Sequence, residues 1–178
     1  DIITASAGTD NVRLGEDAGA SIASGGNNNT LIGKNAGTAI TTGDDNVAIG
    51  ALALDANTTA DNNTAVGYQS GTSNTTGAEN TATGSMSLKV NTTGSSNSAF
   101  GRYALLNNTT ASNNTAVGRS SLQENTTGSS NVAVGYQAGY LNTTGANNVA
   151  VGQDALKANT TADNNTAVGY KSLTANTT

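Results

Sequence analysis

Apolar and polar residues alternate along this chain in a pattern with a 17-residue period. Each repeat begins with Asn-x-Ala-Val-Gly or a close variant, as in residues 131–135, and from the third repeat onward Asn-Thr-Thr follows later in the same repeat. The glycine that ends the opening segment recurs with this period from Gly33 to Gly169, and the interval between Gly15 and Gly33 is one longer. Two turn-prone clusters per repeat and many residues of low helix propensity favour short strands between tight turns.

A repeat of this length predicts one coil of a solenoid, because short strands and their corners use about that many residues. The expected fold class is all-β, a parallel β-solenoid (β-roll) of ten 17-residue coils that stack about 4.8 Å apart. Residues 1–10 are interpreted as a lead-in, and residues 11–178 as one repeat domain. Its units start at 11, 29, 46, 63, 80, 97, 114, 131, 148 and 165.

Positions are numbered here from the asparagine that begins each unit. Alternation along a strand puts positions 2 and 4 on one face and position 3 on the other. Position 4 is a large apolar residue in nearly every unit. Stacking of the coils would align these residues in a column, or ladder, which is predicted to form the core. Positions 8 and 9 predict a second, weaker apolar ladder. The alanine at position 3 predicts a face that packs closely against another surface. The core ladder expected at position 4 includes Val66, Phe100, Val117, Val134, Val151 and Val168.

The asparagine of Asn-Thr-Thr holds position 12, but the first two units carry Ile22 and Ile40 there. A surface glycan acceptor would hardly exchange with isoleucine, so this position is predicted to face the interior. Stacked asparagine side chains can hydrogen-bond along the axis of a solenoid. The predicted polar ladder consists of Asn57, Asn74, Asn91, Asn108, Asn125, Asn142 and Asn159.

Composition narrows the function classes. The 178 residues include no His, Cys, Pro or Trp, and aromatic residues make up 3%. Without His or Cys, and with scattered carboxylates, the chain has little with which to build a catalytic site, so we expect neither an enzyme nor a bound cofactor. The net charge of −5 and singly placed cations argue against nucleic-acid binding. No apolar run approaches the ~18 residues of a membrane span, so we expect no membrane insertion in this segment.

Scarce large side chains predict a thin core, and the alanine face at position 3 predicts that a partner surface covers it. Self-association is the simplest source of that surface. Three identical rods around a common axis would each bury one face, so a homotrimer or filament is expected, and a monomer with a broad flat face is the alternative.

The segments Asn-Val-Ala-Ile-Gly at 46–50 and Asn-Val-Ala-Val-Gly at 131–135 and 148–152 resemble the repeat of trimeric autotransporter adhesin heads. The longer phrase at 142–152 is also similar to repeats in phage and bacterial tail and surface fibres. This resemblance covers nearly the whole chain. It implies a left-handed parallel β-roll that forms a trimer and projects from a cell or virion. The 17-residue coil, longer than the adhesin-head unit, and the threonine-rich position 2 depart from the adhesin pattern.

The expected function is therefore a non-catalytic, extracellular fibre segment that acts as a stiff spacer and a receptor- or surface-binding shaft. The alternative is a monomeric solenoid that binds ice or carbohydrate through a threonine-rich face. Acidic turn residues such as Asp44, Asp45 and Asp61 are interpreted as solvated, so no metal is expected. The candidate surface-binding residues, for a cell-surface glycan or receptor, are Tyr68, Tyr136, Tyr170, Thr58, Thr75 and Thr92.

Overall fold

The chain folds into a stack of coils that each contribute one strand to a single parallel sheet. The structure, a computed structural model, describes residues 7–177, so the first six residues of the lead-in lie outside the described residues. The strands found there are β1 Val12–Leu14, β2 Thr30–Ile32, β3 Val47–Ile49, β4 Thr64–Val66, β5 Thr81–Thr83, β6 Ser98–Phe100, β7 Thr115–Val117, β8 Val132–Val134, β9 Val149–Val151 and β10 Thr166–Val168. They pair in sequence order. The prediction of an all-β parallel β-solenoid with one repeat per coil is confirmed.

Hydrogen bonds between coils extend well beyond the short strands. Thr64 pairs with Thr81, the equivalent residue one coil later, and the same register holds along the sheet. Outside the strands, the Leu54 N–H donates to the Ser70 carbonyl (3.0 Å) and the Thr58 N–H to the Thr75 carbonyl (3.2 Å). Many backbone N–H and C=O groups of each coil are therefore hydrogen-bonded to the neighbouring coils. These bonds matter in a chain that has few large side chains to bury.

Left-handed residues close each coil. In the unit that begins at Asn97, φ is 133° at Gly101, 64° at Tyr103, 50° at Leu105 and 61° at Asn113. Equivalent positions in the other units also have positive φ. Each non-glycine residue in this region costs roughly 1 to 2 kcal/mol, so inter-coil contacts must stabilise a conformation that isolated repeats would disfavour.

The apolar part of the interior is formed by positions 3, 8 and 9, which corrects the expected orientation of the strands. The buried position-3 methyl groups include those of Ala99 and Ala116, and the buried leucines at position 9 are Leu54, Leu88, Leu105, Leu122 and Leu156. Position 4 points outward instead. Of the expected core ladder, Phe100, Val117, Val134 and Val168 are exposed, and Val66 and Val151 are half-buried. The alanine face is therefore not a surface awaiting a partner.

Alanine faces inward because leucine takes the space across the coil. A coil that closes within one short repeat leaves a narrow interior, and interiors are filled to high packing density. In the second unit both facing positions differ from the usual pair. Leu31 stands at position 3 in place of alanine, and Gly37 stands at position 9 in place of leucine. A β-carbon on Gly37 would lie 2.8 Å from the Leu31 Cδ2 atom.

One later coil keeps alanine at position 3 but has glycine at position 9, so it is underfilled. Beside Gly139 lies a cavity of about 10 Å³, lined in part by Leu122, Ala133, Ala150 and Leu156. Gly139 has φ 60°, close to the φ of 47° at Leu122. The backbone at Gly139 is therefore one that leucine already adopts elsewhere in this chain.

We expect Gly139→Leu to stabilise the fold by about 1 kcal/mol. Burying a leucine side chain contributes about 1.5 to 3 kcal/mol, and replacing glycine at positive φ costs part of that gain. The nearest atom to the new β-carbon is the Leu122 Cδ2 atom at 2.9 Å, the end of a side chain that can rotate. Chemical denaturation at fixed protein concentration measures the change. Gly71→Leu, at the same position of another coil, should behave alike; a loss in both variants would contradict this account of the interior.

Candidate functional site

The position-12 asparagines form an interior ladder. Asn57, Asn74, Asn91, Asn108, Asn125, Asn142 and Asn159 are buried. The Asn91 Nδ2 donates to the Asn74 Oδ1 (2.8 Å), and the same bond recurs in each later coil. Each amide also donates to the position-15 carbonyl of its own coil, as from Asn108 to Ala111 (3.0 Å). A buried amide bonded in this way cannot carry a glycan, so the ladder is structural.

Position 1 forms a second buried asparagine ladder that the sequence analysis did not identify. The Asn97 N–H donates to the Asn80 Oδ1 (3.0 Å), and the Asn97 Nδ2 donates to the Ala111 carbonyl (2.9 Å). Ala111 therefore accepts from both ladders. The asparagine that begins each unit is the sequence signal of this ladder.

The outward face of the sheet is the most extensive candidate binding surface. Positions 2 and 4 of every coil lie there, and the position-4 residues run in register from β1 to β10. Phe100 remains 43% exposed and Val134 36% exposed, although both belong to strands. We call this surface the aliphatic stripe. It comprises Leu14, Ile32, Ile49, Val66, Thr83, Phe100, Val117, Val134, Val151 and Val168.

The candidate tyrosines lie beside the aliphatic stripe. Tyr68, Tyr136 and Tyr170 occupy position 6, just after the glycine corner, and all three are exposed. They belong to coils that are not all neighbours, so they do not form a continuous row. The Arg119 guanidinium lies 5.9 Å from the centroid of the Tyr136 ring, and the Lys171 ammonium lies 5.2 Å from that of Tyr170.

The candidate threonines at position 13 have a structural use for their hydroxyl groups. The hydroxyls of Thr58, Thr75 and Thr92 each donate to the carbonyl of the threonine one coil later, at 2.9 to 3.2 Å. These residues are half-buried, whereas the following threonines, such as Thr59 and Thr76, are exposed. Adjacent threonines therefore do not form one flat hydroxyl plane, and a threonine face would consist of position 14 alone.

The acidic turn residues also support the stack. The Asp44 Oδ1 accepts the Asn27 N–H (2.6 Å), and the Asp61 Oδ1 accepts the Asp44 N–H (2.8 Å). Serine takes the same role in later coils, where the Ser112 hydroxyl accepts the Ser95 N–H (3.0 Å). Between residues 7 and 177, no group of acidic or other ligating side chains is suited to hold a metal ion.

Charge pairs are sparse and local. The Lys34 ammonium bonds Glu16 at 2.8 Å, which raises the pKa of Lys34. The Lys157 ammonium donates to the Asp154 Oδ1 at 2.9 Å, and this bond holds the pKa of Asp154 below its usual value. A lowered carboxyl pKa stabilises the fold above the unfolded-state pKa, and this contribution is lost as the pH falls through the folded-state pKa.

Comparisons with known proteins add no identification: no protein-family model, curated protein or solved structure matches the chain. In the part of the chain that the structure describes, no helix has the length and apolarity needed to cross a membrane.

Proposed function

We propose that this chain is a non-catalytic segment of an extracellular or virion fibre, assembled as a homotrimer, that acts as a stiff spacer and presents surfaces for adhesion. The observation that carries the proposal is the aliphatic stripe, in which six of the ten residues are exposed and the other four are half-buried. The interior of each coil is already filled by alanine, leucine and asparagine, so folding of one chain gives the stripe no cover.

The dimensions of the stripe fit a subunit contact. Ten strands spaced about 4.8 Å apart give a length of about 45 Å, and the side-chain columns of positions 2 and 4 together give a width of about 10 Å. The outward face therefore has an area on the order of 500 Å², and the aliphatic stripe is the position-4 half of it, because position 2 is threonine or serine in six of the ten units.

Closed symmetry favours a ring of parallel rods. Each rod presents the same stripe along its full length, and a closed ring covers all copies equally. The number three is supported by the resemblance of the Asn-Val-Ala-Val-Gly segments to trimeric adhesin heads. Placement outside the cell or on a virion has the same support. A non-catalytic role agrees with the absence of His and Cys from the sequence.

We expect the purified chain to have the mass of a trimer, and Val117→Lys combined with Val134→Lys to reduce it to a monomer. Two ammonium groups within the stripe would have to be desolvated in the contact, which costs several kcal/mol per buried ion. Sedimentation equilibrium or light scattering measures the mass. The matched control is Thr110→Lys with Thr127→Lys, which adds the same charge at exposed residues of position 14. A monomeric wild-type chain, or equal dissociation of the control, would refute assembly through the stripe.

The alternative is a monomeric solenoid that binds ice or carbohydrate. The exposed position-14 threonines, including Thr59, Thr76 and Thr93, recur once per coil and are the surface that such a function would use. A clean monomer that shows thermal hysteresis at micromolar concentration would favour this alternative. A trimer without thermal hysteresis would favour the fibre segment.

A further inference from the structure

Two arginines are stacked in adjacent coils beside the aliphatic stripe. Arg102 and Arg119 occupy position 6 after β6 and β7, and both are exposed. The Ser120 N–H donates to the Arg102 carbonyl (3.0 Å), which holds the two loops about one strand spacing, ~4.8 Å, apart. The two arginine side chains therefore start from the same position of neighbouring coils, and the Arg102 guanidinium donates to the Tyr103 hydroxyl.

Among the carboxylates of residues 7–177, none forms an ion pair with Arg102 or Arg119. Within residues 7–177, the ion pairs are Lys34 with Glu16 and Lys157 with Asp154. The chain is acidic overall, with a net charge of −5, yet none of its described acids forms an ion pair with either arginine. Like charges in adjacent loops repel, so an oxyanion between them would relieve the repulsion and gain charge-assisted hydrogen bonds.

Two tyrosine rings flank the arginines. The Arg102 guanidinium lies 4.3 Å from the centroid of the Tyr103 ring, and Arg119 lies against Tyr136 in the next coil. Tyr136 is 41% exposed. We call Arg102, Tyr103, Arg119 and Tyr136 the arginine–tyrosine patch. It combines a planar, amphipathic ring surface with two donors whose fork geometry matches carboxylate and sulfate oxygens.

We propose that the arginine–tyrosine patch binds an acidic sugar. The sugar ring stacks on Tyr136, and its carboxylate or sulfate ester accepts hydrogen bonds from Arg102 and Arg119. This inference deepens the adhesive part of the proposed function by naming a ligand class and its residues. It requires only one chain, so it stands or falls separately from the assembly. A pair of arginines with no wider basic surface suits one anionic group better than a polyanionic nucleic acid.

The test is a calorimetric titration of the full chain with three short oligosaccharides: one sulfated, one carboxylated but unsulfated, and one neutral. At low ionic strength we expect binding of at least one acidic oligosaccharide and none of the neutral one. Arg102→Gln and Arg119→Gln should each weaken the affinity at least tenfold, and added salt should weaken it further. The sulfated and carboxylated arms identify which oxyanion the patch prefers.

Two control variants occupy the same position in other coils. Lys34→Gln removes an exposed cation that is already paired with Glu16. Tyr68→Ala removes an exposed tyrosine whose neighbours at position 6 are Ala51 and Ser85. We expect both to change the affinity less than twofold, and all four variants to retain the wild-type unfolding midpoint because the residues are on the surface.

The proposal is overturned by failure of both acidic oligosaccharides to bind, by equal binding of the neutral one, or by equal losses in the controls. It is also overturned if Arg102→Gln and Arg119→Gln lower the oligomeric mass and leave oligosaccharide binding unchanged, because the pair would then belong to a contact between copies. The mass of the wild-type chain tests the proposed assembly independently of these outcomes.

Discussion

Replacing Asn108 with alanine is expected to destabilise the fold by about 3 kcal/mol. The substitution removes the bonds to the Asn91 Oδ1 and from the Asn125 Nδ2. It therefore leaves a buried acceptor and a buried N–H without partners, and each such loss costs about 1 to 3 kcal/mol. The Ala111 carbonyl keeps its bond from Asn97. Denaturant unfolding at fixed chain concentration measures the change.

Asn57→Ala is the matched control for Asn108→Ala. Asn57 begins the position-12 ladder, and its Oδ1 is buried without a partner. The Ala60 carbonyl, to which its amide donates, also accepts from Asn46. The two variants remove the same side chain from the same position, but only Asn108→Ala breaks ladder bonds. We expect Asn57→Ala to cost at least about 1 kcal/mol less than Asn108→Ala; equal losses would show that the ladder contributes packing alone.

Replacing Gly101 with alanine is expected to destabilise the fold more than Asn108→Ala does. The free energy of unfolding should fall by more than about 3 kcal/mol, or the chain should fail to fold. Gly101 has φ 133°, a region that costs a non-glycine residue about 1 to 3 kcal/mol. The new β-carbon would also lie 2.6 Å from the Gly118 carbonyl oxygen in the next coil. That neighbour is backbone held in the stack, so it cannot move as a side chain can.

Circular dichroism and denaturant unfolding test the Gly101 variant against Gly139→Leu. Both substitutions place a side chain at a glycine with positive φ. The contact at Gly139 is a rotatable leucine end, whereas that at Gly101 is the backbone of the adjacent coil. We expect opposite signs for the two changes in stability. Similar losses in both would contradict this account, because only Gly101 combines a φ that leucine does not adopt in this chain with a contact to the backbone of the adjacent coil.

The 17-residue period and the buried position-12 asparagines could be predicted from sequence, because the residue types found at one position in successive units indicate its environment. Every strand begins one residue after the expected start of its unit, as Val132 does in the unit that begins at 131. The exchange of asparagine for Ile22 and Ile40 placed position 12 inside, where Ile40 and the later asparagines are buried.

The direction of the strand faces was wrong because alternation alone does not say which face is the interior. Large aliphatic residues usually mark the core, and that rule selected Val117 and Val134. The dimensions of the coil reversed the choice. Leu122 fills the space from the opposite side of its coil, so the methyl group of Ala116 is the side chain that fits.

The left-handed leucines were beyond prediction from local pattern. Asparagine or glycine signals such a backbone in advance, and Asn113 at position 17 is an example. Leucine disfavours it, so Leu105 gives no local signal of its φ of 50°. Contacts with the adjacent coils determine that conformation, and these act only after the repeats have stacked.

Bonded asparagines of the position-12 ladder are always 17 residues apart in sequence. This fixed spacing determines which insertions and deletions in the gene leave the ladder intact. Loss or duplication of 17 contiguous codons returns each ladder amide to a neighbour of the same kind, so recombination between repeats can alter rod length without a new interior. Residues 56–70 and 158–172 are identical except for Gln69 and Lys171, as expected of copies that have diverged little. The extra residue of the first unit falls near the exposed Gly25, so this corner accommodates a single inserted residue while the strands on either side keep their register.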